Sequence, residues 1–297
     1  MCPLEYHLPS PAKINLGLRI LGKRADAYHA IQTILQMLDL CDWLTLRVND
    51  AGNIRLTCST PTLPTDEGNL VIRAARLLQR RGKVPLGVDI YLEKRIPLAA
   101  GLGGGSSDAA TTLLTLNRLW DLHWDATRLQ QMAAQLGSDV PFFLGGPTAL
   151  AQGRGEEVKP LPPPALLTGV LVNPGFEVPA GWAYAHFNGQ SLATDQTMAT
   201  IMEALGTRDL ARLADALVND LEPGVAAVYP AIREMKDRLR SAGAAVTFMC
   251  GSGPTVCGIF QHPAEAQQAA THLPARQAWV IIPFATICQS PHTERWG

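Results

Sequence analysis

Four glycines within five residues, Gly101, Gly103, Gly104 and Gly105, run directly into Ser106, Ser107 and Asp108. An apolar periodicity starts at once. Ala109, Leu113, Leu116 and Trp120 recur at three- and four-residue intervals, which predicts a helix over residues 106–120. A helix start carries unpaired N–H groups and about half a unit of positive charge. Glycines let the backbone turn through φ > 0 and come close to an anion. The stretch is therefore expected to cradle phosphate and feed a helix. A plain turn capped by Ser106 would not need so many glycines. No lysine follows as Gly-Lys-Ser/Thr, which excludes the Walker type of loop. Ser106 also stands where a dinucleotide fingerprint places its third glycine.

Other residues with chemical potential lie on both sides of this stretch. Residues 12–21 alternate as a strand, with Ile14, Leu16, Leu18 and Ile20 on one face. Lys13 and Asn15 then project together from the other face, either toward a site or simply into solvent. Tyr28 and His29 sit where a charged loop meets an apolar run. Asp139 precedes Val-Pro-Phe-Phe, a setting that would partly desolvate its carboxylate and suit it to proton transfer. A second glycine loop, residues 251–254 (Gly-Ser-Gly-Pro), lies between expected strands at 246–249 and 256–260. Asp108 would repel phosphate from the first helical turn, so it is assigned a structural role on the far side of the helix.

The positioning elements follow from the same patterns. Residues 42–48 and 54–58 read as a hairpin turning at residues 50–53, and 69–81 as an amphipathic helix capped by Asn69 and stopped by Gly82. A strand over 88–94 leads into the glycines, and Asp125 caps a helix over 126–136. A strand is possible over 145–152. The prolines of residues 159–167 mark a boundary, giving expected domains 1–158 and 159–297. Beyond it come a strand at 169–173, an irregular aromatic-rich loop, and two helices over 194–221 broken at Gly206. A helix at 230–240, two strands, a helix at 263–273 and a strand at 279–284 complete the chain. That order suits a ferredoxin-like α+β layer.

At 297 residues, with 47% hydrophobic and 17% charged residues, the chain is expected to be globular. Net charge is −1, so nothing suggests nucleic acid or a membrane surface as partner. The six cysteines (Cys2, Cys41, Cys58, Cys250, Cys257 and Cys288) show no CxxC pair and are expected as reduced thiols. The opening MCPLEYHLPS has neither a basic start nor an apolar run, and a cytoplasmic location is expected.

Taken together, the Lys13/Asn15 segment, the 101–110 loop and the 251–254 loop resemble the three motifs of the GHMP kinases, a superfamily of small-molecule kinases. The flanking residues, Pro11-Ala12-Lys13-Ile14-Asn15-Leu16, Arg24-Ala25-Asp26-Ala27-Tyr28-His29 and Gly137-Ser138-Asp139-Val140-Pro141, narrow the resemblance to a branch acting on cytidine diphosphate-linked methylerythritol. The resemblance implies an α+β, two-domain fold: an N-terminal α/β domain like the second domain of ribosomal protein S5, and a C-terminal ferredoxin-like domain. It implies ATP and Mg²⁺ as cofactors, phosphorylation of the substrate's 2-hydroxyl, and a monomer or homodimer. ATP contacts are implied along Pro97, Gly101, Leu102, Gly103, Gly104, Gly105, Ser106 and Ser107, with Asn69 and Lys94 near adenosine. Asp139 is implied as general base on the substrate and Lys13 as the charge-stabilising group. Asn15 would contact the polyol, Tyr28 and His29 the cytosine, and Tyr184, with Trp182 as competitor, would close its other face. No residue is assigned to a metal. Ala27 stands where the Asp-Gly-Tyr-His pattern of that branch has glycine. Another GHMP kinase, for a mevalonate-type or amino-alcohol substrate, would share the loops but not Tyr28 and His29. A non-catalytic nucleotide-binding relative would lack Lys13 or Asp139, and both are present.

Overall fold

The alternating segment at 12–21 is the centre of a much longer strand, β1 (Glu5–Lys23), antiparallel to β2 (His29–Asn49). The structure, a computed structural model, describes residues 5–274, 276 and 278–292; Cys2 and the outer ends of both expected domains lie outside that range. Next come β3 (Ile54–Cys58), α1 (Leu70–Gly82) and β4 (Gly87–Glu93). The expected hairpin between 42–48 and 54–58 does not form. Instead β4 lies between them, antiparallel to β2 and parallel to β3. Burial explains the choice: Val88, Ile90 and Leu92 of β4 are all buried, whereas β3 buries only Leu56 and serves as the edge.

The chain continues through α2 (Gly104–Leu119), α3 (Ala126–Leu136), α4 (Val140–Phe143), β5 (Thr148–Gln152) and β6 (Glu157–Pro160). The sheet order is β3-β4-β2-β5-β6, with β1 alongside β2. The expected division after residue 158 falls inside β6, which the alternation was too short to reveal. Helices α1 to α4 pack on this sheet through Val71, Leu113, Leu116, Met132, Phe142 and Phe143. Asn69 and Asp125 cap α1 and α3 as expected, each accepting from a backbone amide.

The second half runs β7 (Thr168–Asn173), α5 (Ala180–Ala185), α6 (Thr197–Thr207), α7 (Leu210–Ala216) and α8 (Glu222–Val228). It ends with α9 (Ala231–Ser241), β8 (Val246–Met249), β9 (Val256–Phe260), α10 (Pro263–His272) and β10 (Val280–Ala285). Its antiparallel sheet has the order β10-β7-β9-β8, the ferredoxin-like arrangement. The break between α6 and α7 falls at Arg208, whose φ of 54° is left-handed, rather than at Gly206. Helices α5 and α8 were not foreseen. Pro223 and Gly224 disguise the second of them.

The two halves are not independent. Ile14 and Leu16 of β1 share one core with Ile201, Phe248 and Ile259. Asp220 N–H donates to Leu18 O at 3.0 Å, and Leu18 N–H to Val218 O at 2.8 Å. After β10 the chain crosses back: Ile287 N–H donates to Met37 O at 3.2 Å, and buried His292 Nε2 lies 3.2 Å from Thr111 Oγ1 on α2. Among the described residues, no helix is long and apolar enough to cross a membrane.

Asn219 secures the second glycine loop, its Nδ2 donating to Met249 O at 2.8 Å and Gly251 O at 2.7 Å. Asn219→Ala leaves two buried carbonyls without these donors, at a cost of roughly 2–4 kcal/mol. A fall in Tm of at least several degrees is expected; an unchanged Tm would remove this residue from the account.

Candidate active site

Helix α2 begins at Gly104, two residues before the predicted start, and its N-cap is Gly103 (φ 73°) rather than Ser106. Gly101 is also left-handed, at φ 77°, and a Cβ there would stand 2.1 Å from Cys250 O. Only glycine lets the two glycine loops touch at that point. A cavity of 590 Å³ lies over the first loop. Its walls include Asn69, Lys94, Pro97, Gly101, Leu102, Gly103, Gly104, Gly105, Ser106 and Asp108, with Val178 and Ala180 from the second half. Ser107 is not among the lining residues: its hydroxyl is buried and accepts from Ser10 Oγ at 2.8 Å.

A second cavity, also of 590 Å³, is lined by Lys13, Asn15, Tyr28, His29, Asp139, Arg154 and Tyr184. Gly101, Gly103, Ser106, Ala180 and Ser252 line both, so the two cavities are halves of one cleft joined at the start of α2. At this junction Lys13 is only 4% exposed. Its Nζ donates to Asn15 Oδ1 at 2.7 Å and lies 3.4 Å from Asp139 Oδ2. Asn15 in turn donates to Thr33 Oγ1 at 3.0 Å, and Lys13 N–H to Leu102 O at 2.9 Å. The Lys13/Asn15 face is thus a buried wall of the cleft, not a solvated surface. Asp139 leads into α4, its side chain one-third exposed to the cavity.

Asp108 corrects the expectation of a far-side structural acid. It is 2% exposed, borders the first cavity, and accepts from Lys94 Nζ at 2.9 Å. Lys94 also donates to Asp42. Burial pulls the Lys94 ammonium toward deprotonation, but the two carboxylates outweigh it and hold its pKa above the ordinary value. The Asn69 side chain is committed to Val71 N–H and Pro64 O, although the residue still borders the cavity.

In the second cavity the His29 and Tyr184 rings stack 5.5 Å apart at 19°. Trp182 instead stacks on His186 and meets Tyr229 edge-on within the second half, leaving Tyr184 as the aromatic that faces the cleft. Burial, reinforced by the Asp139 charge, pushes the Tyr184 phenol well up. The Arg154 guanidinium lies 4.9 Å from the centre of the Tyr28 ring. Sequence reasoning missed Arg154, although a lone basic residue between Gly153 and Gly155 just after β5 was a usable signal. Among the described residues no group of three or more His, Cys, Asp or Glu could hold a metal ion.

Residues 69–146 match the GHMP kinases N terminal domain and residues 201–278 the GHMP kinases C terminal family. A 4-diphosphocytidyl-2-C-methyl-D-erythritol kinase of Gloeobacter violaceus is 43% identical over 265 residues, spanning 88% of this chain and 87% of its own. That of Citrifermentans bemidjiense is 39% identical over 283 residues, spanning 95% and 99%. The chain belongs to the 4-diphosphocytidyl-2-C-methyl-D-erythritol kinase family, within the GHMP kinases. A crystal structure of 4-(cytidine 5'-diphospho)-2C-methyl-D-erythritol kinase superposes with a TM-score of 0.82 at 35% identity, covering 95% of this chain and 99% of that one. A homoserine kinase from Cytophaga hutchinsonii, at 19% identity and a TM-score of 0.77, shares the fold.

Ala27 stands at φ 67°, in the left-handed region that glycine adopts without strain. The turn persists because Arg24 N–H donates to Tyr28 O at 2.8 Å and Tyr28 N–H to Asp26 Oδ1 at 3.2 Å. Ala27→Gly relieves the strain, and a stabilisation of about 0.5–1 kcal/mol is expected in denaturant melts. A destabilised variant would show that the turn carries no strain.

Proposed function

We propose that the chain transfers the γ-phosphoryl group of ATP to the 2-hydroxyl of 4-diphosphocytidyl-2-C-methyl-D-erythritol, in the non-mevalonate route to isoprenoid precursors. The reading is carried by one observation: two cavities meet at the start of α2, and the Lys13–Asp139 pair lines the second of them, Lys13 packing against the shared Gly103. In this reading the first cavity takes the nucleotide, its phosphates on the amides of residues 103–106, since the Ser107 N–H expected to join them already donates to Gly103 O at 2.9 Å. Gly101, Gly103 and Gly104 let the glycine loop pack as it does, because any Cβ there would meet a protein atom within about 3.2 Å. Mg²⁺ bound to the incoming triphosphate would add charge neutralisation; among the described residues no cluster of three or more acidic, histidine or cysteine side chains stands ready to hold it.

The second cavity takes the alcohol. Asp139 accepts the 2-hydroxyl proton as that oxygen bonds to the γ-phosphorus; the bond to the β-bridging oxygen breaks and ADP leaves. Lys13 holds the Asp139 carboxylate in place and offsets the charge on the moving group. Such transfer is mainly positioning, and a tertiary hydroxyl needs it more than most. Tyr28, His29 and Tyr184 offer flat faces to cytosine, and Arg154 adds a cation beside them. Mevalonate-type acceptors have no ring to fill that space. One chain lines both cavities, so a monomer suffices, with a homodimer equally able to work. The five described cysteines are free thiols, which fits a cytoplasmic setting.

Asp139→Asn keeps the shape but cannot take the proton, so kcat should fall about 10²–10⁴-fold with little change in ATP affinity. Lys13→Met should be similarly severe, and the double variant no worse than the poorer single one, because both act on one hydroxyl. Near-normal turnover by Asp139→Asn would overturn the assignment. Methylerythritol phosphate without the cytidine should be a poor substrate in kcat as well as KM; equal turnover of it would mean that no cytosine clamp exists.

A further inference from the structure

The charged residues beneath the glycine loop have no role in the transfer just described. Asp42 on β2 is fully buried, and its Oδ1 accepts from the Arg95 and Ile96 amides at 2.6 and 2.8 Å. Its Oδ2 accepts from Lys94 Nζ, which donates also to Asp108 Oδ2 in the first turn of α2. One ammonium therefore ties the segment entering the glycine loop to the helix leaving it. A Cβ on Gly104 would stand 3.2 Å from both Lys94 Nζ and Asp42 Oδ2, so the cluster packs directly against the first residue of α2.

With every member ionised, two carboxylates and one ammonium leave a net charge of −1 behind a site for polyphosphate. Asp108 Oδ1 is buried and has no hydrogen-bond partner among the described residues, an arrangement that favours the protonated acid. The charged groups facing Asp108 are Lys94, just beyond β4, and Asp42 on β2. Ser10 on β1 adds a hydroxyl, which donates to Ser107. Burial pushes Asp108 up to about 7; Lys94 and the Ser10 hydroxyl oppose the shift and Asp42 adds to it.

We propose that Asp108 is a positioning residue for the nucleotide, taking up a proton as the polyphosphate docks and thereby neutralising the cluster under the glycine loop. The inference rests on the nucleotide site proposed above. Its sign is fixed by electrostatics. Polyphosphate disfavours the ionised carboxylate, so docking raises the Asp108 pKa. Affinity is highest below the pKa of the free protein, falls as pH rises through it, and levels off above the pKa of the complex.

Calorimetric titration of the whole chain with a non-hydrolysable ATP analogue, without acceptor, tests this from about pH 6 to about pH 8.5. Asp108→Asn keeps an acceptor for Lys94 but cannot titrate, and the ligand's own titration is common to both proteins. Wild type should lose roughly three- to tenfold more affinity than Asp108→Asn over that range, equivalent to a shift of about 0.5–1 pKa unit. Wild type alone, titrated in two buffers of different ionisation enthalpy, should take up more protons than the analogue itself exchanges. That second measurement stands even if the variant folds poorly. Parallel pH profiles, or uptake no greater than the analogue's own, would overturn the inference while leaving the nucleotide site intact. Failure of wild type to bind the analogue at any pH would overturn the site and this inference together.

Discussion

A lysine ammonium that is 4% exposed needs partners on every side, and supplying them for Lys13 draws on distant parts of the chain. Asn15 comes from two residues along β1, and Asp139 from the turn before α4. Thr33, on β2, holds Asn15. The main chain of Lys13 bonds to Leu102, so the strand that carries the cation is fastened to the glycine loop. Gly103 completes the enclosure, because a Cβ there would press within 2.9 Å of Lys13 Cγ. The ion pair, the loop and the helix start are therefore one construction. Displacing any of them exposes or strands a buried charge.

Charge is handled differently on the two sides of the glycine loop. On the cleft side a single cation faces a partly exposed carboxylate, leaving room for a reacting group. Beneath the loop, Lys94 is largely buried between two carboxylates. Two lysines of the same intrinsic chemistry thus take opposite roles through the number and exposure of their partners. The aromatic end of the cleft is drawn from both halves of the chain, His29 from the first and Tyr184 from the second.

Much of this could be read before any fold was known. The glycine run leading into a helix, the shared face of Lys13 and Asn15, the caps at Asn69 and Asp125, and the strands at 246–249 and 256–260 depend on local chemistry, which sequence displays directly. What stayed hidden depended on partners far along the chain. The hairpin error at 42–58 arose because β4, thirty residues on, outcompetes β3 for the central position by burying more apolar surface. Solvation of the Lys13 face could not be decided from alternation, since a strand pattern does not say what covers it. Asp108 and Arg154 were missed or misplaced for the same reason: a charge reveals its role only through its neighbours.

The return of residues 286–292 to the first half has a consequence for how the molecule is made. Thr286 and Ile287 pair with the middle of β2, and His292 reaches Thr111 on α2. The N-terminal half thus depends on contacts supplied by a segment near the end of the sequence. During synthesis the first sheet is made long before that segment, so these last contacts must wait until residues 286–292 have themselves emerged from the ribosome. Domains often finish folding in turn as they leave the ribosome. Here the first half to emerge is among the last to be sealed.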